Sequence, residues 1–134
     1  ALLEALRIGM NAECGVTVFV DRKDQKLWVG SVTGLPSLHP VRTWSASIQS
    51  SSLFKQFVTK PSALWVTKEK VSGVKTFLPH EFLPLIEEGR EALLCSTSNS
   101  NAINGFVMLF SMKNDTFNDT FYKVFQKAVR APKL

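Results

Sequence analysis

The sequence predicts one domain of α+β class, built on a central antiparallel sheet of five to six strands. Strand-like segments come in neighbouring pairs joined by short polar turns, which is typical of antiparallel hairpins. Helix-like segments lie at both ends and in the middle of the chain instead of alternating with single strands. The 134 residues, of which 45% are hydrophobic, suffice for one core, and a second core is not expected.

The first third of the chain predicts a helix and three strands. The helix ends near Asn11, and β-branched and aromatic residues then fill 15–21 and 27–33 with a charged turn between them. A third strand is expected over residues 41–49, after the Gly- and Pro-containing breaks at 34–40. The apolar residues of the helix recur at spacings of one, three and four: Leu2, Leu3, Leu6 and Met10.

The middle of the chain predicts short helical segments around a single strand. Three serines precede apolar residues spaced by three and four, which indicates a capped helix over residues 53–58. A brief strand is expected at 63–67. Pro79 then opens a further helical stretch, which Pro84 disturbs and Gly89 closes.

The last third predicts a second hairpin and a final helix. Residues 92–97 and 105–112 have the composition of strands, and 98–101 have that of a hairpin turn. The helix is expected to start near Asn114-Asp115, with Asn114 and Asn118 as capping residues, and to end at Ala131-Pro132. Its apolar stripe consists of Phe117, Phe121, Val124, Phe125 and Ala128.

Composition argues against several classes of protein. No apolar run approaches the roughly 20 residues that cross a bilayer, so a soluble protein is expected. Cys14 and Cys95 lie in or beside strand-like segments, where thiols act as small buried hydrophobes, and the reducing cytoplasm fits them better than a disulfide does. The net charge of +5 comes from sixteen scattered basic residues, so neither nucleic acid nor a membrane is an expected partner.

Several short motifs follow one another in a characteristic order over most of the chain, from the first helix to the strand that ends at Met112. They are Leu53-Phe54, Lys60-Pro61-Ser62-Ala63-Leu64-Trp65-Val66, Leu78-Pro79, Leu83, Leu85 and Gly105-Phe106-Val107. In this order they resemble a GAF domain. More narrowly, the sequence is similar to the GAF-like region that follows the HDOD domain in bacterial signalling proteins.

The resemblance implies a regulatory or sensory domain rather than an enzyme. In such a domain the N- and C-terminal helices cover one face of the sheet, and an irregular helical crossover covers the other. The expected function is binding of an unidentified small molecule or relay of conformational state to an adjoining HDOD-type domain. The alternative is a degenerate GAF-like module that serves only dimerisation or protein contact. Because the chain starts with neither Met nor a signal peptide, residues 1–134 are expected to be a single domain excised from a longer chain.

The residues needed for the better-known activities of this fold are missing from the sequence. An Asn-Lys-x-x-Asp-Glu-type signature of cyclic-nucleotide binding does not occur, and Cys14 and Cys95 are too few and too distant for sulfoxide reduction. Neither cysteine lies where tetrapyrrole-binding relatives attach their chromophore. His39 and His80 form no zinc-ligand spacing with the cysteines, and a Cys95–His80 nucleophilic pair remains a minor alternative. No cofactor, metal site or catalytic residue is therefore predicted.

The tryptophans are the candidate pocket residues. Trp28, Trp44 and Trp65 lie on three predicted strands that the family places around one side of the sheet, so they either line a shared apolar cavity or pack in the core. Residues 66–90 would form the lid of such a cavity. Its polar contacts would come from hydroxyl groups on strands, namely Ser45, Ser47, Thr97 and Ser111.

The apolar stripes of the two terminal helices permit two interpretations. They either cover one face of the sheet or form a helical bundle with a second copy of the chain. The candidate residues for such a homodimer are Leu3, Leu6, Met10, Phe117, Phe121 and Phe125.

Overall fold

A six-stranded antiparallel sheet forms the centre of the fold, which confirms the predicted α+β class. The computed structural model describes residues 2–87, 90–99 and 102–130. The strands are β1 (Ala12–Asp21), β2 (Lys26–Thr33), β3 (Ser45–Ser47), β4 (Ala63–Val66), β5 (Ala92–Asn99) and β6 (Ala102–Ser111). Their order across the sheet is β3-β2-β1-β6-β5-β4, and every neighbouring pair is antiparallel. The two ten-residue strands, β1 and β6, therefore lie in the middle, and the shortest strands lie at the edges.

Four α-helices and four 3-10 helices surround this sheet within the described residues. The α-helices are α1 (Leu2–Gly9), α2 (Ser52–Thr59), α3 (Val71–Lys75) and α4 (Asp119–Arg130). The 3-10 helices span Pro40–Thr43, Ile48–Ser50, Lys68–Lys70 and His80–Ile86. As the sequence predicts, α1 ends before Asn11, which adopts a left-handed backbone with φ 53°. Serine also begins α2 as predicted, because the Ser51 hydroxyl accepts a hydrogen bond from the Phe54 amide at 3.2 Å.

Side-chain caps explain where the structure departs from the predicted elements. The strand expected over 41–49 shrinks to β3, because His39 Nδ1 caps one 3-10 helix and the Ser47 hydroxyl caps the next. The last helix starts five residues after Asn114, because the Asn118 side chain accepts from the Phe121 amide at 2.8 Å. Asn118 is therefore a cap, as predicted.

The middle of the chain departs from the prediction in two further places. The stretch from Pro79 is a 3-10 helix rather than an α-helix, and Pro84 lies inside it without an amide hydrogen to donate. The short helix α3 was not predicted, since Val71 is its only fully buried apolar residue and gives no helical stripe. The predicted helix end at Gly89, residues 100 and 101 of the predicted turn and the chain end at Ala131-Pro132 lie outside the described residues.

The two faces of the sheet carry separate hydrophobic cores, because side chains alternate along each strand. The helix-side core packs α1 and α4 on one face, and the crossover-side core packs α2, α3 and the 3-10 helices on the other. This is the predicted placement of the helices. The principal members of the helix-side core are Leu3, Leu6, Leu93, Cys95, Leu109, Phe125 and Val129. Those of the crossover-side core are Cys14, Val16, Leu27, Trp44, Phe54, Phe82 and Phe106.

No helix among the described residues has both the length and the apolar composition that crossing a membrane requires.

Candidate functional site

The three tryptophans do not share one face of the sheet, so the prediction that they line a single cavity is wrong. Trp44 lies in the crossover-side core and is 7% exposed. Trp28 lies on the helix side, because its neighbours Leu27 and Val29 point into the crossover-side core, and it is 45% exposed. Trp65 also lies on the helix side, where its ring packs on Tyr122 of α4 with centroids 6.1 Å apart.

Aromatic rings fill the face on which the pocket was expected. Trp44, Phe54 and Phe82 pack edge to face in a triangle, with ring centroids 5.1 to 5.7 Å apart. Phe106 of β6 extends this cluster, with its centroid 4.8 Å from that of Phe54. The interpretation of Trp44 as a core residue is therefore confirmed.

The hydroxyl groups proposed as pocket contacts do not lie together, and those of Ser47, Thr97 and Ser111 have other partners. Ser45 and Ser47 are exposed on the edge strand β3. Thr97 is buried and shares a hydrogen bond with the Asn104 side chain at 2.6 Å, beside a cavity of about 170 Å³ between α1 and the sheet. The Ser111 hydroxyl accepts a hydrogen bond from the Glu91 amide at 2.6 Å, so its role is structural.

The apolar stripes of α1 and α4 cover the sheet, which was one of the two predicted interpretations. Five of the six homodimer candidates are buried inside the chain, namely Leu3, Leu6, Met10, Phe117 and Phe125, and Phe121 is half-buried against the same core. The apolar residues that these helices leave exposed are Leu2, Ile8 and Val124.

Neither cysteine has the environment of a nucleophile. Burial raises the pKa of the Cys14 thiol to about 12 and also raises the pKa of the Cys95 thiol. The sheet separates Cys95, in the helix-side core, from His80, which begins the 3-10 helix on the crossover side. The alternative of a Cys95–His80 pair is therefore wrong. Throughout the described ranges, no group of three His, Cys, Asp or Glu residues could hold a metal ion.

We expect a component of the folding stability that depends on Cys14 to decline between pH 9 and pH 12. Below pH 9.0, the ordinary pKa of a thiol, Cys14 keeps its proton in both the folded and the unfolded chain. Between pH 9 and pH 12 only the unfolded chain releases the proton, because the pKa of Cys14 in the folded protein is about 12. Urea unfolding of the wild type and of Cys14→Ala, followed across this range, isolates the component. Parallel pH profiles for the two proteins would contradict it.

Glu91 is the polar residue on which the local structure depends, and sequence reasoning missed its role. Glutamate is seldom buried, and the sequence around it predicts a solvated surface, whereas Glu91 is 4% exposed. Its carboxylate accepts hydrogen bonds from Trp65 Nε1 at 2.9 Å and from the Lys68 amide at 3.1 Å. Glu87 is exposed, and Glu88 lies outside the described residues.

A basic cleft opens beside Glu91. It has a volume of about 880 Å³ and lies between the Lys68–Lys75 region, the segment before β5 and the turn after β6. Four cations and one carboxylate line it: Lys68, Lys75, Arg90, Lys113 and Glu87. The cations are scattered over 46 positions of the sequence, and only the fold gathers them.

Arg90 is the innermost of these cations. Its side chain is 14% exposed, and its Nη2 pairs with a carboxylate oxygen of Glu13 on β1 at 2.6 Å. Its Nε is buried and has no hydrogen-bond partner among the described residues. The cleft thus combines three exposed or half-exposed lysines with a buried guanidinium whose donor groups are only partly used.

Comparisons with known proteins show the fold alone. No protein-family model matches the sequence, and no curated protein matches it. The GAF domain/HD domain protein from Geobacter sulfurreducens has a similar structure, with a TM-score of 0.75 and 20% identity over 96% of this chain and 82% of that one.

Two phosphoenolpyruvate-protein phosphotransferases contain GAF domains of similar structure. The domain from Coxiella burnetii has a TM-score of 0.71 and 10% identity, and that from Acinetobacter has a TM-score of 0.68 and 15% identity. Each match covers 96% of this chain and 73% of the other. With the strand order and the helix placement described above, these similarities show that the chain has the fold of a GAF domain.

Proposed function

We propose that this chain is a non-enzymatic regulatory domain of a bacterial signalling protein, which relays conformational state to an adjoining HDOD-type domain. Its fold supports this role, since structural neighbours include domains of phosphotransferases and a methyl-accepting chemotaxis protein. A neighbour described as a GAF domain/HD domain protein supports an adjoining domain of a related kind. Low sequence identity shows only that the fold is shared. Support for a regulatory role therefore comes from the geometry described next.

The observation that carries the proposal is that one sheet joins two cores. Along β5, Leu94 points into the crossover-side core and Leu93 and Cys95 point into the helix-side core. The same alternation holds in β6 for Met108 and Leu109. A shift in the crossover-side packing must therefore displace strands on which α1 and α4 rest, because packed interiors transmit strain.

Hydrogen exchange measured on paired tryptophan variants tests this coupling. Trp44→Phe changes the crossover-side core, and we expect it to accelerate amide exchange in α1 and α4 more than in the central strand β6. Trp28→Phe is the matched control, because that ring is 45% exposed, and it should leave the helices unchanged. Acceleration confined to the crossover side, or equal in β6 and the helices, would contradict the relay.

Protein contact alone is the second candidate function. The large apolar residues that α1 and α4 leave exposed favour it, namely Leu2, Ile8 and Val124. Light scattering separates the two candidates, because a contact module that dimerises through these helices has a mass that rises with concentration. Native mass spectrometry of the freshly purified domain would reveal a bound small molecule, which the contact module does not require.

A further inference from the structure

The basic cleft has a charge excess that the relay role does not use. Arg90 and three lysines line it, whereas the described lining residues include one carboxylate, that of Glu87, and Glu13 pairs with Arg90 from β1. Within the described residues, the pair between Arg90 and Glu13 is the only ion pair that a cation of the cleft forms. Clustered like charges repel one another, so an arrangement of this kind is stabilised by an anion held among them.

The walls of the cleft are held in place by buried hydrogen bonds. The Glu91 carboxylate accepts from the Lys68 amide and fixes the start of the wall that carries Lys68 and Lys75. The Ser111 amide donates to the Glu91 carbonyl at 2.8 Å, which fixes the end of β6 just before Lys113. The backbone of both walls therefore depends on one buried residue, which fixes the positions from which the lysine side chains extend before any ligand arrives.

The guanidinium group of Arg90 is the part of the cleft that best suits an anion with several oxygen atoms. Its Nη2 is committed to Glu13, whereas its buried Nε–H has no acceptor among the described residues. That Nε–H has essentially no accessible surface, so an anion in the cleft would meet the remaining donors of the guanidinium group. Guanidinium groups match phosphate oxygens through paired donors, and lysine ammonium groups add charge without a fixed geometry.

Size and composition distinguish among possible anions. The volume of about 880 Å³ lies within the range of small-molecule pockets, roughly 300 to 1,000 Å³. No aromatic ring among the described residues lines the cleft, so it lacks the stacking surface typical of single-stranded nucleic-acid sites. Besides Arg90, which already pairs with Glu13, three lysines exceed what one carboxylate group would need, and they suit a phosphate or diphosphate group.

We propose that the basic cleft is a binding site for a small molecule that carries a phosphate or diphosphate group, held by Lys68, Lys75, Arg90 and Lys113. The site lies outside the aromatic cluster that fills the crossover-side face. The inference goes beyond the relay role and does not depend on it. The two are tested separately, since binding at the cleft requires no change in α1 or α4.

Inorganic pyrophosphate is the probe, with calorimetry at low ionic strength and amide chemical shifts as the measurements. Wild-type protein should bind it, with shifts concentrated at Lys68–Ser72 and at 113–114. The test variant is Lys75→Gln/Lys113→Gln. Attraction between unit charges about 4 Å apart in water corresponds to roughly fivefold in affinity, so the double variant should bind about twentyfold more weakly.

The matched control is Lys23→Gln/Lys26→Gln, which removes the same charge at the opposite end of β1. It should bind pyrophosphate within about twofold of the wild type, because charges farther apart than a Debye length of about 10 Å are screened. Lys113→Gln alone, on an exposed turn, keeps the test valid if the double variant does not fold.

Three results would overturn the proposal. The first is an absence of pyrophosphate binding to the folded wild type. The second is an equal loss of affinity in the cleft and control variants, which would indicate general charge attraction. The third is an oligonucleotide that shifts the cleft amides when pyrophosphate does not, which would assign the surface to nucleic acid instead.

Discussion

Replacing Phe54 with alanine is expected to lower the free energy of unfolding by about 4 kcal/mol, because a buried Phe→Ala change removes both transfer free energy and packing contacts. Phe54 is fully buried, and its ring contacts the rings of Trp44, Phe82 and Phe106. Edge-to-face pairs add about 0.5 to 1.5 kcal/mol each beyond the area that they bury. Urea unfolding followed by circular dichroism measures the loss.

Phe77→Ala is the control for this prediction. Its ring is 54% exposed, so we expect a change within about 0.5 kcal/mol. Domains of this size have a total stability of roughly 5 to 15 kcal/mol, so the Phe54 variant should lose a large share of it. A loss below about 1.5 kcal/mol would mean that the surrounding rings collapse into the space and that the aromatic cluster is not rigidly packed.

Replacing Glu91 with alanine is expected to lower the free energy of unfolding by about 3 kcal/mol, although a sequence reading places this residue on the surface. The change leaves Trp65 Nε1 and the Lys68 amide without their acceptor, and each hydrogen bond to a charged group contributes about 1.5 to 3 kcal/mol. Thermal or urea unfolding gives the loss, and tryptophan fluorescence reports on the surroundings of Trp65.

Two further variants, one at Glu91 itself and one at Glu87, make this experiment specific. Glu91→Gln keeps one oxygen acceptor and should lose only part of the stability. Glu87→Ala alters an exposed carboxylate and should stay within about 0.5 kcal/mol of the wild type. Equal losses in the Ala and Gln variants would mean that the charge of Glu91, and not its hydrogen bonds, stabilises the fold.

The sequence predicts the fold well where the apolar pattern has a clear period. Strands β1, β2, β5 and β6 and the helices α1, α2 and α4 follow from alternation or from spacings of three and four, to within a few residues. The departures occur where a hydrogen bond to a capping side chain determines where a helix begins, as at His39 and Asn118. Each such cap depends on a single hydrogen bond, and the spacing of apolar residues gives no sign of it.

The candidate site was much harder to predict than the fold. Strand alternation places Trp28 on the opposite face from Leu27 and Val29, but alternation within one strand does not relate its faces to those of the strands near Trp44 and Trp65. The cations of the basic cleft are far apart in the sequence, and only the pairing of β5 with β6 brings Arg90 near Lys113. Glu91 resembles its exposed neighbours in every local respect, and its burial is a tertiary effect.

The lengths of the strands have a consequence for how the domain behaves when crowded. The outermost strands, β3 and β4, have three and four residues, and 3-10 helices flank β3 on both sides. Unpaired amide and carbonyl groups on a long, flat edge invite a strand from another molecule and promote aggregation. Because its edges are this short, the sheet offers little template for such growth.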